Sequence, residues 1–129
     1  MKRVVKDIGV DAGLILISDK TFYEKYDGII DEKLCKKIKV TNGNYKVNWQ
    51  IKKTWNGDVS GQGLLKVTTG EFIVSDPCYH IQSENDQMWM KVLEDTNYFR
   101  DNIDGCIVLD SMGGDGLYNV HLNLEFIGD

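Results

Sequence analysis

The stretch Val67-Thr68-Thr69-Gly70-Glu71-Phe72-Ile73-Val74-Ser75-Asp76-Pro77-Cys78-Tyr79 aligns without a gap on Val10-Asp11-Ala12-Gly13-Leu14-Ile15-Leu16-Ile17-Ser18-Asp19-Lys20-Thr21-Phe22. Val, Gly, Ser and Asp coincide, and an apolar triplet and an aromatic ring match in kind. Self-similarity of this sort is the mark of a duplicated unit. A second element recurs in the same order, where Gly43-Asn44-Tyr45-Lys46-Val47-Asn48-Trp49-Gln50-Ile51 matches Gly116-Leu117-Tyr118-Asn119-Val120-His121-Leu122-Asn123-Leu124. From Asp19 to Gly43 is 24 positions and from Asp76 to Gly116 is 40, so the second copy carries an insertion of 16 residues. The expected organisation is a single domain over residues 1–129, with repeat 1 at about 8–55 and repeat 2 at about 64–127.

Each repeated element has a local reading. Leu14–Ile17 and Phe72–Val74 are short apolar runs without helical spacing, each preceded by glycine, as in strands buried on both faces. The Ser-Asp that follows opens a turn, because an aspartate side chain can bond the backbone two residues on and Pro77 presets the next torsion. The second element alternates: Tyr45, Val47, Trp49, Ile51 and Trp55 fall on one face, as do Tyr118, Val120, Leu122, Leu124 and Phe126. One apolar and one polar face describe an antiparallel strand with a solvated side.

The insertion holds the best helical pattern, at about 84–95, opening on Ser83-Glu84-Asn85-Asp86, with Met88, Trp89, Val92, Leu93 and Thr96 on a core stripe and Met90 off it. A shorter helical turn is expected over Asp31–Ile38. Asp110–Gly116, rich in glycine, reads as a hairpin loop between a strand at Cys106–Leu109 and one at Leu117–Phe126. Asn56–Gly63 reads as the exposed joint between copies. The fold class is therefore α+β, mostly β: two repeated β-rich halves form one antiparallel barrel- or sandwich-like core with one main helix.

At 129 residues with 42% hydrophobic and 27% charged side chains, the chain is long enough to build a core and has no apolar run of membrane-spanning length. Cys35, Cys78 and Cys106 are odd in number and lack a C-x-x-C pair, and the first residues do not form a signal peptide, so a cytoplasmic location is expected. The net charge of -5 is unevenly divided. Residues 1–66 carry 13 Lys/Arg against 8 Asp/Glu, and residues 67–129 carry 2 against 12. Only Arg3 and Arg100 are arginines, which disfavours direct nucleic-acid binding, since base and phosphate recognition leans on the bidentate guanidinium.

Gly70-Glu71-Phe72-Ile73-Val74-Ser75-Asp76-Pro77-Cys78-Tyr79, followed by Gly114-Asp115-Gly116-Leu117-Tyr118-Asn119-Val120, resembles small bacterial and phage proteins of uncharacterised function that carry G-x-x-x-x-x-D-P-C-Y and G-D-G-x-Y-P-V. The resemblance covers about residues 67–126. It departs at Asn119, where proline is usual, and the first copy reads Asp19-Lys20-Thr21-Phe22 in place of D-P-C-Y. It implies a β-rich fold and no catalytic assignment.

Cys78 and His80 are the minimum of a cysteine nucleophile and its base, but adjacency in sequence does not make such a pair, and no catalytic set is assigned. No metal-ligand spacing links His80, His121, Cys78, Asp76 and Asp115, so neither metal nor cofactor is expected. The candidate binding residues are Asp76, Tyr79 and His80 around the turn, Trp89, Met90, Glu94 and Asp95 on the helix, and Asp115 in the glycine loop. The acidic second half leads to an expected function: a non-enzymatic, phage-like inhibitor that covers a basic surface of a partner protein, as an anti-defence protein would. The alternative is a protein that sequesters a small ligand or nucleotide in a cleft on the axis between the halves. The same charge division allows a homodimer in which segment 33–53 meets segment 84–104 of a second copy.

Overall fold

The computed structural model describes residues 1–81, 86–98 and 102–129, with the side chain of Asp86 excepted. Nine strands, β1 (Lys2–Val10), β2 (Ile15–Asp19), β3 (Lys36–Lys39), β4 (Gly43–Thr54), β5 (Gly57–Val67), β6 (Glu71–Ser75), β7 (Asn102–Ile103), β8 (Cys106–Leu109) and β9 (Gly116–Gly128), form two antiparallel sheets. One sheet has the order β1-β9-β4-β5 and the other β3-β6-β2-β8-β7. The architecture is a sandwich and not a closed barrel. The four-stranded sheet packs its inner face on the five-stranded one, and a helical layer made of α1 (Asp86–Tyr98) and a 3-10 helix at Lys20–Tyr26 covers the latter's far side.

That layering explains the unbroken apolar runs. Ile15, Ile17, Phe72, Val74, Ile107 and Leu109 point into the core between the sheets, while Leu14, Leu16, Ile73, Cys106 and Val108 point into a second core under the helices. A strand buried on both faces has no polar side to alternate.

The pairing registers obey a two-fold rotation. In the five-stranded sheet Leu16 pairs with Ser75, Ile17 with Val74 and Ser18 with Ile73; exchanging each residue for its repeat mate interchanges the first and last pairs and returns the middle one to itself. In the four-stranded sheet Val47 pairs with Leu124 and Ile51 with Val120 around Trp49–Leu122, which is again its own image. β1 on β9 and β5 on β4 are likewise equivalent, Val10 opposing Gly116 as Val67 opposes Gly43. One axis thus pierces both sheets, and the central strands of each sheet come one from each copy.

Several expectations are corrected. The segment Asp31–Ile38 holds no helix: Lys36–Lys39 is the edge strand β3, and the first copy's helix is instead the 3-10 segment at Lys20–Tyr26. A Lys-Lys-Ile-Lys run suits an edge, where charge discourages further pairing. Asn56–Gly63 is no joint, because Trp55-Asn56 makes the tight turn of a hairpin between Thr54 and Gly57, and residues 57–63 belong to β5. Asp110–Gly116 is not a hairpin loop either; β8 and β9 lie in different sheets, and the loop arches between them. Trp55 leaves the core face, at 77% exposure, since a register shift after Ile51 breaks the alternation, while Phe126 keeps its register opposite Tyr45 but is 50% exposed at the end of the sandwich. α1 covers Asp86–Tyr98, three residues past the expected end at 95, and Ser83–Asn85 lie outside the described residues. Val92 and Thr96 are buried in its core stripe, with Met88, Trp89 and Leu93 packed alongside.

Candidate functional site

At the end of each central strand an aspartate crosses the axis to hold the other copy. Asp76 is fully buried; its Oδ2 accepts the backbone N–H of Asp11 at 2.9 Å and of Ala12 at 2.7 Å, and its Oδ1 that of Cys78 at 2.9 Å. Asp19 does the same in mirror order, accepting from the N–H of Thr68 and Thr69 at 2.9 and 3.1 Å and of Thr21 at 3.3 Å. Thr68, Thr69 and Thr21 are the repeat mates of Asp11, Ala12 and Cys78. Their hydroxyls add three further bonds, at 2.9, 2.8 and 2.5 Å. Asp76 is therefore a structural clasp as well as the turn former that its position implies.

Burial alone would raise the Asp19 carboxyl, but the hydrogen bonds from Thr21, Thr68 and Thr69 outweigh it and hold the pKa at about 2, against 3.8 in the free side chain. The unfolded chain then takes up the proton first. The stabilisation is complete above the unfolded value and is lost as pH falls toward about 2, a change of about 2 kcal/mol. In urea titrations the stability gap between wild type and Asp19→Asn should narrow by about that amount between about pH 5 and about pH 2. A constant gap would show that this carboxylate is not held in its charged form.

Cys78 and His80 do not form a nucleophile and base. The Cys78 thiol is pushed up by burial and by the Asp76 carboxylate beside it, so it stays protonated. His80 is buried; its Nδ1 accepts the Asp31 N–H at 3.0 Å and its Nε2 bonds the Ser75 hydroxyl at 2.8 Å. Burial lowers its pKa, keeping the ring neutral. The two-fold sends His80 to Tyr23, and the two rings meet edge to face at 5.1 Å. The mates of the bonded Ser75–His80 pair, Ser18 Oγ and Tyr23 OH, are buried without a hydrogen-bond partner.

The remaining candidates fall into separate places. Tyr79 donates its hydroxyl to the Asp11 carboxylate near the Asp76 clasp. On α1, Trp89 is half-buried against the second core, Asp95 accepts the Tyr26 hydroxyl at 2.7 Å, and Met90 (61% exposed) and Glu94 face outward. Asp115 lies in a glycine-rich loop that Trp55 and Asn56 cover: a Cβ on Gly114 would meet the indole at 2.8 Å and one on Gly113 the Asn56 amide at 2.7 Å. Those glycines make room for the hairpin tip. Sequence reasoning missed Tyr26 and Lys25, which no local pattern marks, and assigned Trp55 to the core instead of the hairpin tip.

Where the axis leaves the four-stranded sheet, the outer surface holds a shallow depression of about 330 Å³ lined by Asn48, Gln50, His121 and Asn123, with Lys2 and Arg3 at its side. The axis otherwise runs through paired strands, and residues of both copies, Asp19, Thr21 and Phe22 with Lys66, Thr68 and Asp104, line a further hollow of about 200 Å³. Among the described residues no three His, Cys, Asp or Glu are grouped to hold a metal ion, and no helix is long and apolar enough to cross a membrane.

Charge is distributed by layer. Lys2, Lys46, Lys52 and Lys66 lie on the exposed side of the four-stranded sheet, against Glu125 and Asp58. Glu24, Asp27, Glu94, Asp95 and Asp104 belong to the opposite, helical side, where Lys25 pairs with Asp104 at 2.8 Å and lies over the Phe22 and Tyr26 rings. Segment 33–53 runs from the edge strand β3 of one sheet to β4 in the middle of the other. Comparison of the chain with family models, curated proteins and solved structures gives no match.

Proposed function

We propose that the protein is a non-enzymatic binding protein that covers a basic surface of a partner protein through the outward face of α1, in the manner of the inhibitors of phage and defence systems. The observation that carries this reading is the break in symmetry: each strand of the first copy has a counterpart in the second, while α1 and the two-residue β7, both in the insertion, have none. Its outward face presents Met90 beside Glu94, an exposed apolar side chain next to a carboxylate, on the side of the molecule where acidic residues gather. An apolar anchor within a charged rim is the composition of an interface centre. The charge speeds and orients encounter, while the methionine supplies desolvated contact.

The test is affinity capture with three baits: wild type, Met90→Arg and Glu94→Lys, each at about 0.05 M and about 0.5 M salt, where screening lengths differ severalfold. Both positions are exposed, so the variants fold. The expected outcome is a protein partner held by wild type, weakened by salt and lost with either variant. Identical recovery by all three baits would refute the role of α1. A second reading has its own support in the depression at Asn48, Gln50, His121 and Asn123, whose amides, imidazole and flanking Lys2 and Arg3 suit a small anion such as a nucleotide. Nucleotide released from the purified protein by denaturation, and retained by the Met90 variant, would favour it.

A further inference from the structure

The two ends of the sandwich, equivalent under the two-fold, are finished differently. At one end Met112, with no exposed surface, enters the core between the sheets. The hairpin tip lies over it, Asn56 donating to the Ser111 carbonyl at 3.0 Å and the Trp55 indole N–H to the Asp115 carbonyl at 3.3 Å. The equivalence of the ends is direct: Tyr118 donates to the Gly114 carbonyl at 2.8 Å, and its mate Tyr45 to the Thr41 carbonyl at 2.5 Å. At Tyr45, however, the connection from β3 to β4 is two residues shorter than that from β8 to β9 (Ile38 to Gly43 is 5 positions, Leu109 to Gly116 is 7), and it supplies no counterpart of Met112. The hollow there, of about 460 Å³, is walled by Met1, Val40, Tyr45, Leu124 and Phe126 with the exposed Lys39 at its rim, whereas the depression of about 400 Å³ at the Tyr118 end is walled by Trp55 and bordered by Asp115. Phe126 is half exposed and meets Tyr45 edge to face at 5.4 Å.

We infer that this open end is a second binding site, independent of α1, that takes an aromatic side chain lying next to a carboxylate on a partner protein. The molecule itself shows what closes such an end: an apolar side chain within and a flat indole laid across, carried on a tight turn. Aromatic rings suit the Tyr45–Phe126 wall, where edge-to-face contacts add to burial. Lys39 at the rim favours a negative group beside the ring, and Lys36 on the same edge strand adds to that field. A hollow of this volume lies within the range of sites that bury a small group.

The test is a titration of the isotopically labelled full chain with acetyl-Trp-Asp-amide, followed by NMR, with acetyl-Ala-Asp-amide and acetyl-Trp-Lys-amide as comparison probes. Shifts are expected at Met1, Val40, Tyr45, Leu124 and Phe126, with each comparison probe at least about tenfold weaker. Lys39→Glu, a substitution at an exposed position, should reverse the preference toward acetyl-Trp-Lys-amide, and Met90→Arg should leave the binding unchanged. Shifts located elsewhere, equal binding of acetyl-Ala-Asp-amide, or no shift at millimolar probe would overturn the inference. So would shifts at the same residues on raising protein concentration alone, which would place a second copy there.

Discussion

Asp76→Ala is expected to remove most of the stability of the fold. Three backbone N–H groups from two parts of the chain end on this one buried carboxylate. A hydrogen bond to a charged group contributes about 1.5–3 kcal/mol, and an orphaned buried donor adds its own desolvation penalty. A loss of about 5 kcal/mol or more follows, against a total of about 5–15 kcal/mol for an ordinary domain. Urea denaturation should show little folded protein for Asp76→Ala. Asp76→Asn, which keeps one acceptor oxygen for Asp11 and Ala12, should lose about half as much. Asp115→Ala, at an exposed site, should stay within about 0.5 kcal/mol of wild type. If Asp76→Ala lost less than about 2 kcal/mol, the clasp would not be what joins the two copies.

Gly63→Val is the second large effect. β5 lies at the edge of its sheet, and that edge is sealed by the insertion: Asn102 accepts the Leu64 N–H at 2.9 Å and donates to the Leu64 carbonyl at 2.6 Å, while the Lys66 N–H reaches the Gly105 carbonyl at 3.0 Å. A Cβ on Gly63 would meet Asn102 Oδ1 at 2.8 Å and Ile107 at 3.0 Å. Neither neighbour has room to retreat, since Ile107 is wholly buried and Asn102 is held by the strand. Overpacking here should cost about 3 kcal/mol, visible as a lowered melting temperature. The Leu64 and Lys66 amides should also lose hydrogen-exchange protection selectively. A variant that melts with wild type and keeps both amides protected would refute this account of the seal.

The duplication, the doubly buried central strands and the core stripe of α1 were legible because each rests on a local pattern that burial imposes on every residue of the element. β5 was not, because its inward positions include Gly61 and Gly63, whose space is filled by Trp49 and by Asn102 and Ile107. Alternation vanishes where a neighbour supplies the side chain. β3 was misread for the converse reason, its lysines reflecting an exposed edge instead of a helical face. At the turn, Asp76 and His80 are engaged with backbone far away in sequence, at Asp11, Ala12 and Asp31. Proximity of Cys78 and His80 along the chain therefore carried no chemistry.

The crossing of strands at the axis also bears on how each half could fold. A chain of one repeat's length would have no partner inside itself for either of its central strands, nor any backbone N–H groups for its aspartate to clasp other than those of its own turn. Two copies of such a chain would supply both to each other, through the same pairings that Ile17–Val74 and Trp49–Leu122 now make. A half-length chain of this pattern would therefore fold only as an obligate homodimer, and joining the two copies in one chain lets the second carry α1 without disturbing the first.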